Sequence, residues 1–179
     1  MNRRSLLLLL TPGAAALAAG CASTPTPQDY AAERPLLDLA RYFDGDIAAH
    51  GIFSDRGGRV VRRFTVSMKC RSQGDDGVFD ELFTYSDGQT ERRVWRITRT
   101  GPGRYVGRAD DVVGEAIGEA AGNAIRWLYT LRLPVDGNVY EVQFDDWMVQ
   151  IDDRVILNKA VMSKFGIRLG EVTLAFRKP

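Results

Sequence analysis

Residues 59–71, RVVRRFTVSMKCR, alternate with period two, and this alternation limits the chain more than any other feature. Val60, Phe64, Val66, Met68 and Cys70 share one face with Arg62, while Arg63, Thr65, Ser67, Lys69 and Arg71 share the other. Successive side chains of a strand point to opposite sides, so a β-strand turns this pattern into one apolar and one solvated face. The pattern recurs along the chain. Ile125, Trp127, Tyr129, Leu131 and Leu133 alternate with Arg126, Thr130 and Arg132, with Leu128 out of step. Tyr140, Val142, Phe144 and Met148 form another such face, and Val172, Leu174 and Phe176 a last one. Glycine and Asx turn signals separate the stretches, among them Asp44-Gly45, Gly57-Gly58, Asp87-Gly88, Gly137-Asn138 and Phe165-Gly166,. Nine or ten strands result, at the spacing of closed or nearly closed antiparallel sheets; a two-sheet sandwich is the alternative. One short helix is predicted over residues 35–43, with Leu36, Leu37, Leu39 and Ala40 as its apolar side. The fold class is therefore all-β, an antiparallel up-and-down barrel, which at this size can hold one small ligand.

The N-terminus carries a different signal. Arg3 and Arg4 precede an apolar run over residues 6–19, interrupted at Thr11-Pro12-Gly13, which reads as a secretory signal too short to span a bilayer,. It closes in Leu17-Ala18-Ala19-Gly20-Cys21, which resembles a bacterial lipobox, although Ala18 stands where an aliphatic residue is usual. The expectation is that residues 1–20 are removed and that Cys21 is acylated, its acyl chains making the bilayer a partner. Ala22-Ser23 supply no aspartate for inner-membrane retention, so the expected address is the periplasmic face of the outer membrane. Residues 21–35 read as the lipidated cysteine and a polar, extended tether, and residues 36–179 as the barrel domain.

Removing the signal takes away two of the 24 basic residues and none of the 23 acidic ones, leaving a charge near neutrality. A nucleic-acid partner is excluded, since no clustered positive excess remains. Of two cysteines, Cys21 is expected to carry lipid, so Cys70 has no disulfide partner and reads as a small core residue,. His50 is the single histidine, with no second motif that points to haem,. Four Asp-Asp pairs lack the spacing of a calcium loop, and adjacent strand residues face opposite ways; turn capping explains them, with Asp145-Asp146 the pair of most interest,. No cofactor or metal is expected, and no nucleophile motif is present. An enzyme, an envelope hydrolase, would require Asp146, Glu171 and Arg62 to share a cleft.

The segment GEAIGEAAGN, residues 114–123, has the glycine spacing of a membrane-helix interface, but Glu115 and Glu119 forbid that reading,. With period two it becomes a strand in which Gly114, Ala116, Gly118, Ala120 and Gly122 form one face stripped of bulk. Such a face marks a barrel corner or a surface against which a ligand lies. The candidate ligand-binding residues are accordingly Gly114, Gly118 and Gly122, the aromatic residues Trp127, Tyr129 and Trp147, and Arg62 as partner for a carboxylate or phosphate.

The stretches DLARYFDGDIAAHGIFSDRGGRVVRRF and LPVDGNVYEVQFDDWMVQIDDRVILNKAVMSKFGIRLGEVTLAFRK carry a family resemblance, most specifically at Asp145-Asp146-Trp147-Met148 and Met162-Ser163-Lys164-Phe165-Gly166. Over roughly residues 36–178 the chain resembles the proteobacterial lipoproteins catalogued as domain of unknown function family 3833. The resemblance implies an envelope lipoprotein with a lipocalin-like barrel and implies no activity. The leading expectation is a non-enzymatic, outer-membrane-anchored lipoprotein that binds or carries a small hydrophobic ligand such as a lipid. The alternative is a structural or interaction module that assists envelope assembly through a protein partner, with an exposed apolar patch around Trp147 or the Met162–Gly166 segment.

Overall fold

The computed structural model describes residues 24–135 and 137–179. Ten antiparallel strands close a barrel in the order β1-β10-β9-β8-β7-β6-β5-β4-β3-β2. They are β1 (Gly45–Asp55), β2 (Val60–Gln73), β3 (Asp76–Tyr85), β4 (Thr90–Gly101), β5 (Arg104–Arg108), β6 (Ala116–Ala121), β7 (Ala124–Val135), β8 (Asn138–Gln150), β9 (Val155–Lys164) and β10 (Ile167–Arg177). Each strand pairs with its neighbours in sequence, and β1 meets β10 from Ala48↔Arg177 to Asp55↔Gly170. Closure leaves no unpaired edge, which is how an all-antiparallel chain satisfies every strand. The lipocalin-like barrel is thus the observed fold, and the sandwich is not. Five steps around the ring separate β1 from β6 in either direction, so these two strands stand on opposite sides.

The period-two faces fall as the alternation dictates. Val66, Met68 and Cys70 are buried inside, while Thr65, Ser67, Lys69 and Arg71 are exposed outside. That charged outer face is unlike the apolar band of a barrel that spans a bilayer. No helix among the described residues is long and apolar enough to cross a membrane. Burial pushes the Cys70 thiol up to about 12, which leaves it a protonated core residue near neutral pH,. At the tip of β9–β10 a two-residue turn places both Phe165 (φ 51°) and Gly166 (φ 75°) in the left-handed region, as a hairpin of this length favours,.

One end of the barrel is plugged. The helix expected over residues 35–43 is a single turn, α1 (Leu39–Tyr42). Asp38 starts it late, its side chain accepting from the amides of Ala40 and Arg41, and the Asp44-Gly45 turn ends it early,. Leu36 is exposed, so the apolar side narrows to Leu37, Leu39, Tyr42 and Phe43. Phe43 stacks on Phe79 at 4.9 Å and meets Phe176 edge-on at 5.4 Å, while the Tyr42 hydroxyl donates to the carbonyls of Arg154 and Phe176. Aromatic packing therefore closes this base of the barrel. The opposite end, the mouth, is formed by the β1–β2, β3–β4, β5–β6, β7–β8 and β9–β10 connections.

Part of the expected tether lies against the barrel. Residues Pro27–Tyr30 form a 3-10 turn against β6 and β7, with Pro27 buried and the Tyr30 ring 5.7 Å from that of Trp147. Further on, the Leu37 amide donates to the Gly122 carbonyl at 2.8 Å. Apolar and aromatic residues interleaved among the prolines, Tyr30 above all, give this stretch something to bury. The signal segment and Cys21 lie outside the described residues.

Candidate functional site

Inside the barrel, alternation brings Glu81, Arg93, Tyr129, Asp146 and Asn158 from β3, β4, β7, β8 and β9 onto inward faces. Arg93 donates through Nε to Asp111 at 2.9 Å, with a second contact from its terminal nitrogen at 2.7 Å. Across the lumen, Asp146 accepts from the Tyr129 hydroxyl at 3.1 Å and from Asn158, whose amide also reaches the Trp147 carbonyl at 3.0 Å. Aromatic rings hold the set in place: Tyr129 stacks on Phe144 at 5.1 Å and meets Trp95 edge-on at 5.7 Å. Glu81 is 8% exposed and has no cation within 4 Å among the described residues. Burial raises its carboxyl to about 7, against the pull of Arg93. Burial likewise raises Asp146 to about 6, against the hydrogen bonds from Asn158 and Tyr129. The two carboxyls can therefore hold or exchange protons near neutral pH, the property that functional sites share with some structural networks. No nucleophile stands beside them, and no group of three or more His, Cys, Asp or Glu side chains among the described residues is set to hold a metal ion.

Of the candidate ligand-binding residues, Gly118, Trp127 and Tyr129 face the interior. Gly118 faces inward between Ala116 and Ala120, but its face is already occupied: a Cβ there would lie 2.7 Å from Cζ3 of Trp127. The strand spans only Ala116–Ala121, so Gly114 falls in the preceding loop and Gly122 in the β6–β7 turn, where the Tyr30 carbonyl covers it. Trp147 points outward, onto Tyr30. Arg62 sits at the mouth, 3.5 Å above the Tyr85 ring, and its terminal nitrogen donates to Asp87 and Gln89 at 2.8 Å each. Glu171 faces out to Arg168 and Lys159, so Asp146, Glu171 and Arg62 share no cleft. Asp145 and Asp146 do diverge, Asp145 turning outward to form a two-pronged pair with Arg126.

The sequence reading missed a concavity on the outer wall. Around Gly51 the outer faces of β3, β2, β1, β10 and β9 line a shallow, solvent-open groove of about 640 Å³. Its apolar sides come from Ile52, Leu157 and Ala175, with the threonines Thr65, Thr84 and Thr173, and His50 and Arg63 stand along it. On the inner side, a Cβ at Gly51 would lie 2.5 Å from Phe64 and 2.8 Å from Leu174. Without one, the Phe64 and Leu174 side chains lie directly against the β1 backbone beneath the concavity. The volume lies within the usual range for small-molecule sites. Arg63, unlike Arg62, has no carboxylate within 4 Å among the described residues. The only hint in the sequence was a glycine at an inward position beside the sole histidine.

The same barrel occurs in solved proteins of distant sequence. An S-type phycobiliprotein lyase of Guillardia theta superposes with a TM-score of 0.57 at 4% identity, over 87% of this chain and 98% of the lyase. A protein of unknown function from the DUF3598 family of Nostoc punctiforme superposes with a TM-score of 0.50 at 12% identity, over 83% of this chain; the chain spans 51% of that protein's length. At such identities the likeness is one of fold alone. No curated protein matches the sequence. The family model described as "Protein of unknown function (DUF3833)" covers residues 15–178, nearly the entire chain, and the chain belongs to that family.

Proposed function

We propose that this protein is an envelope lipoprotein, held on the periplasmic face of the outer membrane by acyl chains on Cys21, which binds a small apolar molecule in the groove over Gly51. The groove carries the reading: about 640 Å³ of largely apolar concavity over Gly51, where β1 has no side chain. Arg63 is placed to receive a carboxylate or phosphate at one end of such a molecule, the role first assigned to Arg62. The lipobox-like ending at Cys21 supports the anchor. That a barrel of this fold serves a lyase in Guillardia theta is compatible with a small-molecule role. Native mass spectrometry of the full chain extracted from its own envelope tests both parts. The expected result is an N-terminal peptide bearing acyl mass and a non-covalent apolar species released on unfolding. A protein that carries no such species and takes up no fatty acid overturns the ligand reading.

One observation favours the alternative, a module that docks a protein partner. Phe165 exposes 88% of its surface at the β9–β10 tip while holding a left-handed backbone angle. A bulky residue gains nothing for stability in that conformation. In-cell crosslinking from position 165 to a single protein would support this second reading.

A further inference from the structure

We infer that the outer wall of β5, β6, β7 and β8, opposite the groove, lies against the membrane surface. This inference rests on the acylation of Cys21 in the proposed function. The first described residue, Thr24, follows Cys21 by three positions, a stretch that spans at most about 11 Å,. The chain then packs directly on this side: Pro27 is buried against the barrel and Tyr30 lies on the outward Trp147. A short leash therefore brings this wall, rather than the β1 wall, closest to the bilayer.

The surface chemistry of the wall fits that position. Val106, Ile117 and Leu128 are cross-strand neighbours on the outer face, forming one apolar row across three strands. Ile117 and Leu128 remain 48% and 47% exposed although neither packs the core. Arginines flank the row, Arg108 on one side and Arg104 with Arg126 on the other. Arg104 has no carboxylate within 4 Å among the described residues, whereas Arg108 pairs with Glu115 and Arg126 with Asp145. Apolar side chains at the acyl boundary, with long basic side chains reaching the phosphates, are the pattern of an interfacial surface. The acids Glu119 and Glu141 on the same wall keep the contact shallow.

Full-length protein with Leu128→Cys, labelled with an environment-sensitive fluorophore, tests the inference in phosphatidylethanolamine–phosphatidylglycerol vesicles. Ile52→Cys, on the groove side, is the control. The expected result is that brominated lipid quenches the label at 128 at least threefold more than the label at 52, with iodide showing the reverse. Equal quenching by iodide at both positions overturns the wall assignment. The mass of the N-terminal peptide reports the anchor separately. An unacylated chain whose 128 label is still lipid-quenched removes the anchor and keeps the wall, and an acylated chain with a water-exposed 128 label does the opposite.

Discussion

Gly51 and Gly118 stand on strands at opposite sides of the ring, and both are glycine for the same reason. At each, a neighbour's side chain lies where a Cβ would be: Phe64 and Leu174 over Gly51, the Trp127 indole over Gly118. The outcomes differ. The outer wall over Gly51 carries a groove, whereas the outer wall beside Gly118 keeps the exposed pair Ile117 and Leu128. A glycine on the inner face of a packed barrel thus records the presence of a large neighbour.

The sharpest way to break this comparison is Gly118→Leu. The side chain must displace Trp127 from a fully packed interior, so unfolding free energy should fall by about 3 kcal/mol, the upper end for overpacking, as read by chemical denaturation. Wild-type stability with a vacant-pocket phenotype would show that the inner face of β6 is open after all. The interior can be probed without touching either glycine. Glu81 titrates at about 7 in the fold against an ordinary 4.5. Its neutral form is the one the barrel prefers, so its contribution is complete below about pH 4.5 and is lost as pH rises through 7. Linkage sets that contribution on the order of 3 kcal/mol, and Asp146 adds in the same direction between its ordinary value and about 6,. Denaturation midpoints should therefore decline from pH 5 to pH 8 in the wild type, and the decline should shrink in Glu81→Gln.

On the groove side, Ile52→Asp places a charge among Leu157, Ala175 and the threonine methyls. Fatty-acid affinity should drop about tenfold, measured with a fluorescent acyl probe, while stability moves by no more than about 0.5 kcal/mol. The smallest effect belongs to the mouth. Arg62→Gln removes a half-exposed ion pair with Asp87, so stability should change by less than about 1 kcal/mol and acyl binding not at all. A loss of binding there would move the ligand from the outer wall to the barrel mouth.

These contrasts also explain what could be read from the chain in advance. The inner faces of β2, β7 and β10 were legible because apolar residues recur at every second position over long stretches, as in Phe64, Val66, Met68 and Cys70. The helix was drawn too long because Leu36 fits an apolar stripe on paper, while Asp38 and Gly45 set the real ends. Glu81 and Arg93 escaped notice although they share parity with Phe79, Phe83, Trp95 and Ile97. A charged residue in phase with aromatic ones is the signal that would have exposed the buried cluster. The groove was beyond reach, since its lining comes from five strands, and the residues that meet at Gly51, Phe64 from β2 and Leu174 from β10, are far apart in the chain. Gly114 and Gly122 were joined to Gly118 by spacing alone, and turns at both ends of β6 separate them.

The N-terminal segment has a mechanical consequence. Before the chain reaches β1 it is latched to the far side of the barrel, through Tyr30 on Trp147 and Leu37 on Gly122, and then passes under the base as α1. A pull transmitted from the N-terminus meets this latch first. The β1–β10 seam, where the ring closes, is shielded from the load by a clasp on the strands across from it.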